Sequence, residues 1–423
     1  MAIARASRTD WPRRRFAALV LGLVLAVAAF VASLAVVPLL QTGPNQYNVA
    51  AWEARNVASK WLYAFGDLFR GGRSEAEQDA DIARFFSLVR EIDTLERQQS
   101  DALQRGEPQD PSREAGLAAR REERDRLENR VEATIESRLT RTLEDEGITR
   151  DFGLFHAVWP PVDFEFTNPP RNLAISPRDE IKLTDTELLR EDLSLEEVEA
   201  IEAQKQQQDN VSALAFTLGG LSAYPTIIAY DGDYQSALAT IAHEWLHNYL
   251  FFRPLGLHYA KNYDVRSINE TVAELAGQEL ARDLLKRWPA PAITQPSSPP
   301  AAASPAPSTP QPPSIDIGAE LRKLRGEVDA LLAQHKLDEA EALMEQRRQE
   351  FAEKDYRFRK INQAYFAFTN LYAGEAGSPG ATNPIGPKVD ELRRRSPTLR
   401  VFLNRIGGVT SVAGLDKALS EAP

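Results

Sequence analysis

The spacing of hydrophobic and polar positions changes character along the chain. Phe16 to Val37 runs without a charge. Roughly 20 apolar residues in a helix match the thickness of a bilayer core, so 16–37 predicts a transmembrane helix or signal anchor. Residues 49–70 place Trp52, Trp61, Leu62, Phe65 and Leu68 on an amphipathic pattern. Residues 75–104 place Ile82, Phe85, Phe86, Val89, Ile92 and Leu95 at three- and four-residue steps. After a turn at 106–111, residues 113–146 resume as a highly charged helix. Together 49–147 predict a helical hairpin or stalk whose charges form a solvated face.

From 152 the periods shorten. Prolines punctuate β-like pieces at 162–166 and 181–183. Residues 194–208 predict a helix, and Ser194 with Glu197 has the spacing of a capping box. The runs 211–218 and 225–230 read as adjacent strands of one sheet joined around Gly219-Gly220. Helices at 234–252 and 267–287 complete a core expected over 152–288. Residues 289–314 are a Pro-rich linker or insertion. Helical stretches at 321–332, 337–372, 387–395 and 397–406 make 315–423 a C-terminal part expected to pack on the core. The fold class that follows is α+β and helix-rich, with a small sheet.

Composition narrows the function. A chain of 423 residues is long enough for a substantial core. It has no cysteine, which excludes a thiol nucleophile and any Cys-ligated metal. A net charge of −11 argues against a nucleic-acid partner. Within 1–15, Arg5, Arg8, Arg13, Arg14 and Arg15 precede the apolar run. That order predicts a cytoplasmic N-terminus, membrane attachment through the N-terminal helix and an extracytoplasmic body. The rival is a cleaved signal peptide and secretion, with Ser33-Leu34-Ala35 as the cleavage site.

One motif carries chemistry. His243-Glu244-Trp245-Leu246-His247 is an H-E-x-x-H sequence inside a helical pattern, in a chain with only 5 histidines. Residues four apart on a helix project from one face, so both imidazoles can share one ion. Glu244 can reach a metal-bound water without coordinating. Ser236, Ala239 and Thr240 are small and leave room for a site, while Ile241, Trp245, Leu246 and Tyr249 supply an apolar flank. Catalytic zinc takes three protein ligands and keeps an open position. Without cysteine the third ligand is His, Asp or Glu. The extended pattern that adds a glycine and a third histidine is excluded, because Leu250 and Arg253 occupy those places.

Further along stands Asn269-Glu270-Thr271-Val272-Ala273-Glu274. Here the sequence resembles the gluzincin, or thermolysin-like, H-E-x-x-H metallopeptidases, of the membrane-anchored bacterial type, over about 40 residues. The resemblance implies a zincin-like catalytic domain with zinc as cofactor. It also implies Glu270 as third ligand beside Asn269, and Glu274 as the acid that hydrogen-bonds a zinc-binding histidine. Glu274 stands where that group typically has Asp. The Gly-x-Met-Glu-Asn loop of the superfamily's aminopeptidases is absent, since Gly219–Ala223 does not supply it. A competing role for Glu270 is helix capping, because Ser267 and Glu270 also have capping-box spacing.

The expected activity is hydrolysis of a peptide or protein substrate, with Glu244 as general base and then acid. Tyr259 and His258 are the favoured donors to the oxyanion, with Tyr263, Tyr365 and Tyr372 as further candidates. One of the two strand runs should pair with an extended substrate along its edge. Two other readings compete: a non-enzymatic envelope scaffold with a structural metal site, and a zinc hydrolase of a non-peptide amide.

Overall fold

The computed structural model describes residues 43–56, 60, 72–106, 110–153, 155–294, 315–371 and 384–422. Within them the chain is a helix-rich α+β protein with small sheets.

The first half opens with two long helices, α1 (Glu75–Gln104) and α2 (Pro111–Asp145). Each starts at a side-chain cap: Ser74 with Glu77 in a capping box, and Asp110 before the proline of α2. A hairpin is expected here, but a projecting stalk is not what forms. Ile82, Phe85 and Phe86 of α1 join Val131, Ile135 and Leu139 of α2 in the largest apolar cluster. That cluster continues into Phe164, Phe166, Trp245 and Leu246. Charge on the outer faces, which stay solvated along both helices, conceals this role.

The middle of the chain builds three small sheets. β1 (Arg150–Asp151) and β2 (His156–Ala157) pair as a short hairpin. β3 (Phe164–Phe166), β8 (Thr226–Ile228) and β7 (Gly220–Leu221) form one three-stranded sheet, with β8 in the centre. β5 (Asp185–Leu189), β4 (Arg171–Pro177) and β6 (Val211–Thr217) form the other, antiparallel throughout. The two strand runs expected to be neighbours therefore belong to different sheets, and Gly219-Gly220 is the crossing between them. The piece expected at 181–183 is a loop leading into β5. β4 escapes the sequence pattern because its four buried residues, 173–176, are consecutive rather than alternating, as in a strand covered on both faces. α3 (Leu195–Asp209) packs on β6 and starts at the anticipated Ser194/Glu197 capping box.

Three of the four outer edges of these two sheets are covered. On β3, Glu136 and Glu132 of α2 accept from the Phe164 and Phe166 amides at 3.1 and 2.8 Å, and Lys60 donates to the Phe164 carbonyl. On β6, Glu202 of α3 accepts from the Ala215 amide at 2.8 Å, while Gln206 and Asn362 donate to the Ala213 carbonyl. On β5, the segment 45–47 pairs through Gln46 and Leu189. Capping an edge with a charged side chain blocks pairing with another chain. β7 is the remaining edge, and Gly220 borders the cleft described below.

Two helices cross beside that edge: α4 (Tyr234–Phe251) and, after the short α5 (Pro254–Leu257), α6 (Tyr263–Arg287). Gly277 lets them approach closely. A Cβ there would lie 2.9 Å from the His243 nitrogen and 3.1 Å from the Ala239 oxygen. Behind α4, Trp245 donates to the Pro160 carbonyl at 3.0 Å, which fixes the opposite face in the core.

The C-terminal part does pack back, in two groups. α7 (Ile317–Leu332) and α8 (Leu337–Ala352) share a cluster around Leu324, Val328, Met344 and Phe351. The single helix expected over 337–372 is interrupted, and α9 (Gln363–Thr369) starts anew at an Asn362 cap. α10 (Ile385–Arg394), α11 (Leu399–Ile406) and α12 (Val412–Ser420) place Val389, Phe402 and Leu415 in the main cluster.

The membrane expectation needs correction. No helix among the described residues is long and apolar enough to cross a membrane. The expected span at 16–37, the basic segment 1–15 and most of the Pro-rich stretch lie outside the described residues.

Candidate metal centre

The centre forms where α4 crosses α6. His243 and His247, one turn apart, turn their Nε2 atoms toward one point and lie 3.0 Å from each other. Glu270 Oε2 is 3.4 Å from each of them. Zinc with four ligands at 2.0–2.2 Å places neighbouring donors about 3.3–3.5 Å apart. The three separations therefore suit ligands of one small cation, and the group is able to hold a metal ion.

The supporting contacts orient these donors. His247 Nδ1 lies 2.7 Å from Asn269 Oδ1, an acceptor for an Nδ1 proton that turns Nε2 toward the shared point. His243 Nδ1 lies 3.3 Å from Glu274 Oε2, out of line for a hydrogen bond. So Glu274 reaches the histidine it was expected to serve, although the longer side chain arrives off axis and also accepts from Gln278. Tyr259 donates its hydroxyl to Glu270 Oε1, the oxygen facing away from the histidines, and packs edge-on against His247. Tyr259 thus belongs to the centre, as the group that holds the Glu270 carboxylate in place.

Capping does not account for Glu270. α6 begins four residues earlier than expected, at Tyr263. Its cap is Asn262, which accepts from the Asp264 amide at 2.8 Å. Ser267 and Glu270 lie inside the helix, and both are buried.

The charges respond to one another. Burial opposes ionisation of Glu270, but His247 and His243 outweigh it and hold the carboxyl well below its usual range. Burial likewise pushes His243 down, but Glu270 and Glu274 carry it up to about 10. His247 is raised by Glu270 against the same opposition. Burial raises Glu244, and the two histidines pull it part of the way back. A carboxyl raised toward neutrality is suited to taking a proton and returning it.

Glu244 occupies the junction of a two-lobed cleft. The larger lobe, about 810 Å³, is walled by Thr240, Glu274, Gln278, Arg282 and Tyr365 among others. The smaller, about 420 Å³, contains His243, His247, Glu270 and Tyr259. Both lobes share Leu218, Gly220, His243 and Glu244. Gly220 is required by close approach: a Cβ on it would stand 2.7 Å from Glu244 Cγ. The Ser222 amide also acts on the Glu244 carboxylate. Asn248 ties α4 to the same sheet through the Ala223 carbonyl and the Thr226 hydroxyl, each at 3.2 Å.

Other expected residues lie elsewhere. His258 is 2.8 Å from the Pro254 carbonyl of its own turn and lines neither lobe. Tyr263 donates to the Ala367 carbonyl and accepts from Asn370, which ties α6 to α9. Tyr372 lies outside the described residues. Sequence reasoning misses Gly220 and Asn172, which border the cleft from strands it misreads, and Ser222 just after β7. It also misses Phe251 and Leu257 in the smaller lobe. The adjacent aromatics Phe251-Phe252 at the end of a helix, just before Arg253-Pro254, are a signal that could have found them.

No family model, curated protein or solved structure matches this chain.

Proposed function

We propose that this protein is a zinc metallopeptidase of zincin-like design that hydrolyses extended polypeptides. The reading is carried by one observation: Glu244 lies beside a three-donor metal group, at the junction of an open cleft. A structural zinc site is closed by four protein ligands and has no use for a free carboxylate next to it. Zinc held by His243, His247 and Glu270 would supply a Lewis acid that acidifies water and polarises a carbonyl. Glu244 accepts the proton from water and hands it to the departing amine nitrogen. Asn269 and Tyr259 keep His247 and Glu270 oriented through the cycle. The β7 edge, with no strand on its outer side and Leu221 lining the cleft, offers main-chain groups to an extended peptide, which favours a peptide over other amides. β8, with a partner on either side, is unavailable for that role.

The test is zinc content and hydrolysis of an unfolded, dye-labelled polypeptide by the full chain. One zinc per chain is expected, retained in Glu244→Gln and lost in His247→Ala. Hydrolysis should fall on the order of 10²–10⁴-fold in Glu244→Gln. Failure of the wild type to bind zinc after reconstitution, or cleavage that survives Glu244→Gln, would refute the reading.

A further inference from the structure

Glu244 faces a short stretch of chain, 220–226, that runs from β7 into β8. Most polar groups of this stretch serve α4. The Ser222 amide acts on the Glu244 carboxylate, and the Ala223 carbonyl and Thr226 hydroxyl accept from Asn248. Tyr224 serves a different element: its amide donates to Glu53 Oε1 at 3.0 Å. Only Ala223 lies between the Ser222 and Tyr224 amides, and its own amide closes a tight turn on the Leu221 carbonyl at 2.8 Å. Peptide planes are rigid, so a shift at Tyr224 is passed on to Ser222.

The segment that carries Glu53 is tied down on both sides of it. Upstream, the Tyr47 amide donates to the Leu188 carbonyl at 2.9 Å and the Asn45 carbonyl accepts from the Arg190 amide at 3.0 Å, along β5. Asn48 then caps the helical residues 49–56 through the Ala51 amide. Downstream, Lys60 lies 2.6 Å from Glu132 and donates to the Phe164 carbonyl of β3. The segment thus crosses from one sheet to the other, with Glu53 between its two anchors. The Tyr224 phenol lies near Asp163 and Glu136, which also face Lys60. Glu53 itself is half-buried and has no lysine or arginine partner among the described residues. Withdrawing a carboxylate from water without a counter-charge is costly, and the bond it gains is the one to Tyr224.

We infer that Glu53 is a positioning residue for Glu244: from a strap anchored on both sheets, it holds the 222–224 turn against α4. The contact is tight, because a Cβ on Gly220 would stand 2.7 Å from Glu244 Cγ. With the turn held, the Glu244 side chain keeps one placement between the two lobes. With the turn loosened, the Ser222 amide leaves it and the carboxylate swings into the open cleft.

The inference rests on the peptidase reading, so its test has one arm that needs no cleavage. In that arm, amide hydrogen exchange is read residue by residue on the metal-free full chain, as wild type, Glu53→Ala and Glu53→Gln. Exchange at both Tyr224 and Ser222 should quicken on the order of tenfold in Glu53→Ala. Both should stay near wild type in Glu53→Gln, which keeps an acceptor. Quickening confined to Tyr224 would make Glu53 a local partner of one amide and overturn the inference, as would equal rates in all three proteins. In the second arm, the zinc-loaded proteins hydrolyse a dye-labelled unfolded polypeptide. Glu53→Ala should lower kcat about 10–100-fold with KM and zinc content unchanged, and Glu53→Gln should recover most of the loss. A change in KM alone, or full activity in Glu53→Ala, overturns the inference and leaves the peptidase standing. If the wild type cleaves nothing, the peptidase reading fails. Coupled exchange at Ser222 and Tyr224 then still establishes the hold on the turn, and uncoupled exchange still rejects it.

Discussion

Glu202 and Glu270 are both helical glutamates withdrawn from water, with residue exposures of 0 % and 3 %. They are compensated by opposite means. Glu202 faces Arg359 and Lys360, each at 2.6 Å, and spends its remaining acceptor capacity on the Ala215 amide at the edge of β6. Its charge is balanced by groups that stay cationic at any ordinary pH. Glu270 meets no lysine or arginine among the described residues. Its partners are two imidazoles and the Tyr259 hydroxyl. Imidazoles are cationic only while they hold protons, so the balance is conditional, and a divalent cation can replace those protons. The contrast separates a carboxylate that closes a sheet edge from one whose group is able to hold an ion. The edges differ in the same way: the glutamates on β3 and β6 are paired with lysine or arginine, whereas the one lying against β7 is Glu244 of the conditional site.

The sharpest test exchanges the two readouts. Glu270→Gln should weaken zinc affinity on the order of 10²–10³-fold, one ligand's share of the binding free energy. It should shift metal-free stability by no more than about 1 kcal/mol, because the imidazoles can shed their protons. Glu202→Gln should destabilise the chain by about 3 kcal/mol, since two cations lose their counter-charge, and leave zinc affinity unchanged. Isothermal titration and urea unfolding of both variants decide it. Equal losses of stability would break the distinction between the two glutamates.

A smaller effect is expected where the geometry is set by packing. Gly277→Ala places a methyl 2.9 Å from the His243 nitrogen. Helices that close cannot absorb it without moving apart, at about 1–3 kcal/mol. The same movement separates Glu270 from the histidines, so zinc affinity should fall together with Tm. A drop in Tm with affinity intact would show that the two helices are not what sets the donor spacing. Asn269→Ala acts on orientation alone and should weaken zinc binding about 10–100-fold with little change in stability.

These residues also show what could be read from sequence. His243, Glu244 and His247 are legible because one helical turn brings them together without help from the rest of the chain. Gly277 is legible as the small residue of a stripe on the following helix. The true start of α6 is less so, because Asn262 and Ser267 both offer caps and only tertiary packing chooses Asn262. The sheets are the least legible part. β7 is two residues long, and β4 is buried on both faces, so neither alternates. β3 and β6 have their outer edges capped by Glu132 and Glu136 from distant α2 and by Glu202 from the helix just before β6. Those acids read locally as solvated charge, and their edge-capping role exists only in three dimensions. The wall of the smaller lobe is illegible for the same reason, being gathered from β4, β7 and the α4–α5 corner.

The comparison extends to a third carboxyl whose compensation is incomplete. Glu128 on α2 accepts from the Tyr230 hydroxyl at 2.7 Å. Burial first, and then the neighbouring charge of Glu132, push it up to about 7, while the Tyr230 bond and Arg124 hold it back. A folded value above the unfolded one means that its share of stability is complete below about pH 4.5. That share is lost as pH rises through 7. The wild type should therefore lose stability between pH 5 and 8, by about 1–2 kcal/mol from this group after allowance for partial solvation. Glu128→Gln keeps an acceptor for Tyr230 and removes the charge. It should be more stable than the wild type at pH 8 by that amount and indistinguishable from it near pH 4.5. Urea unfolding across this range checks both ends. A gain that persists at low pH would mean that packing, not the charge, separates the two proteins, and Glu128 would then belong with Glu202 among the fully compensated acids.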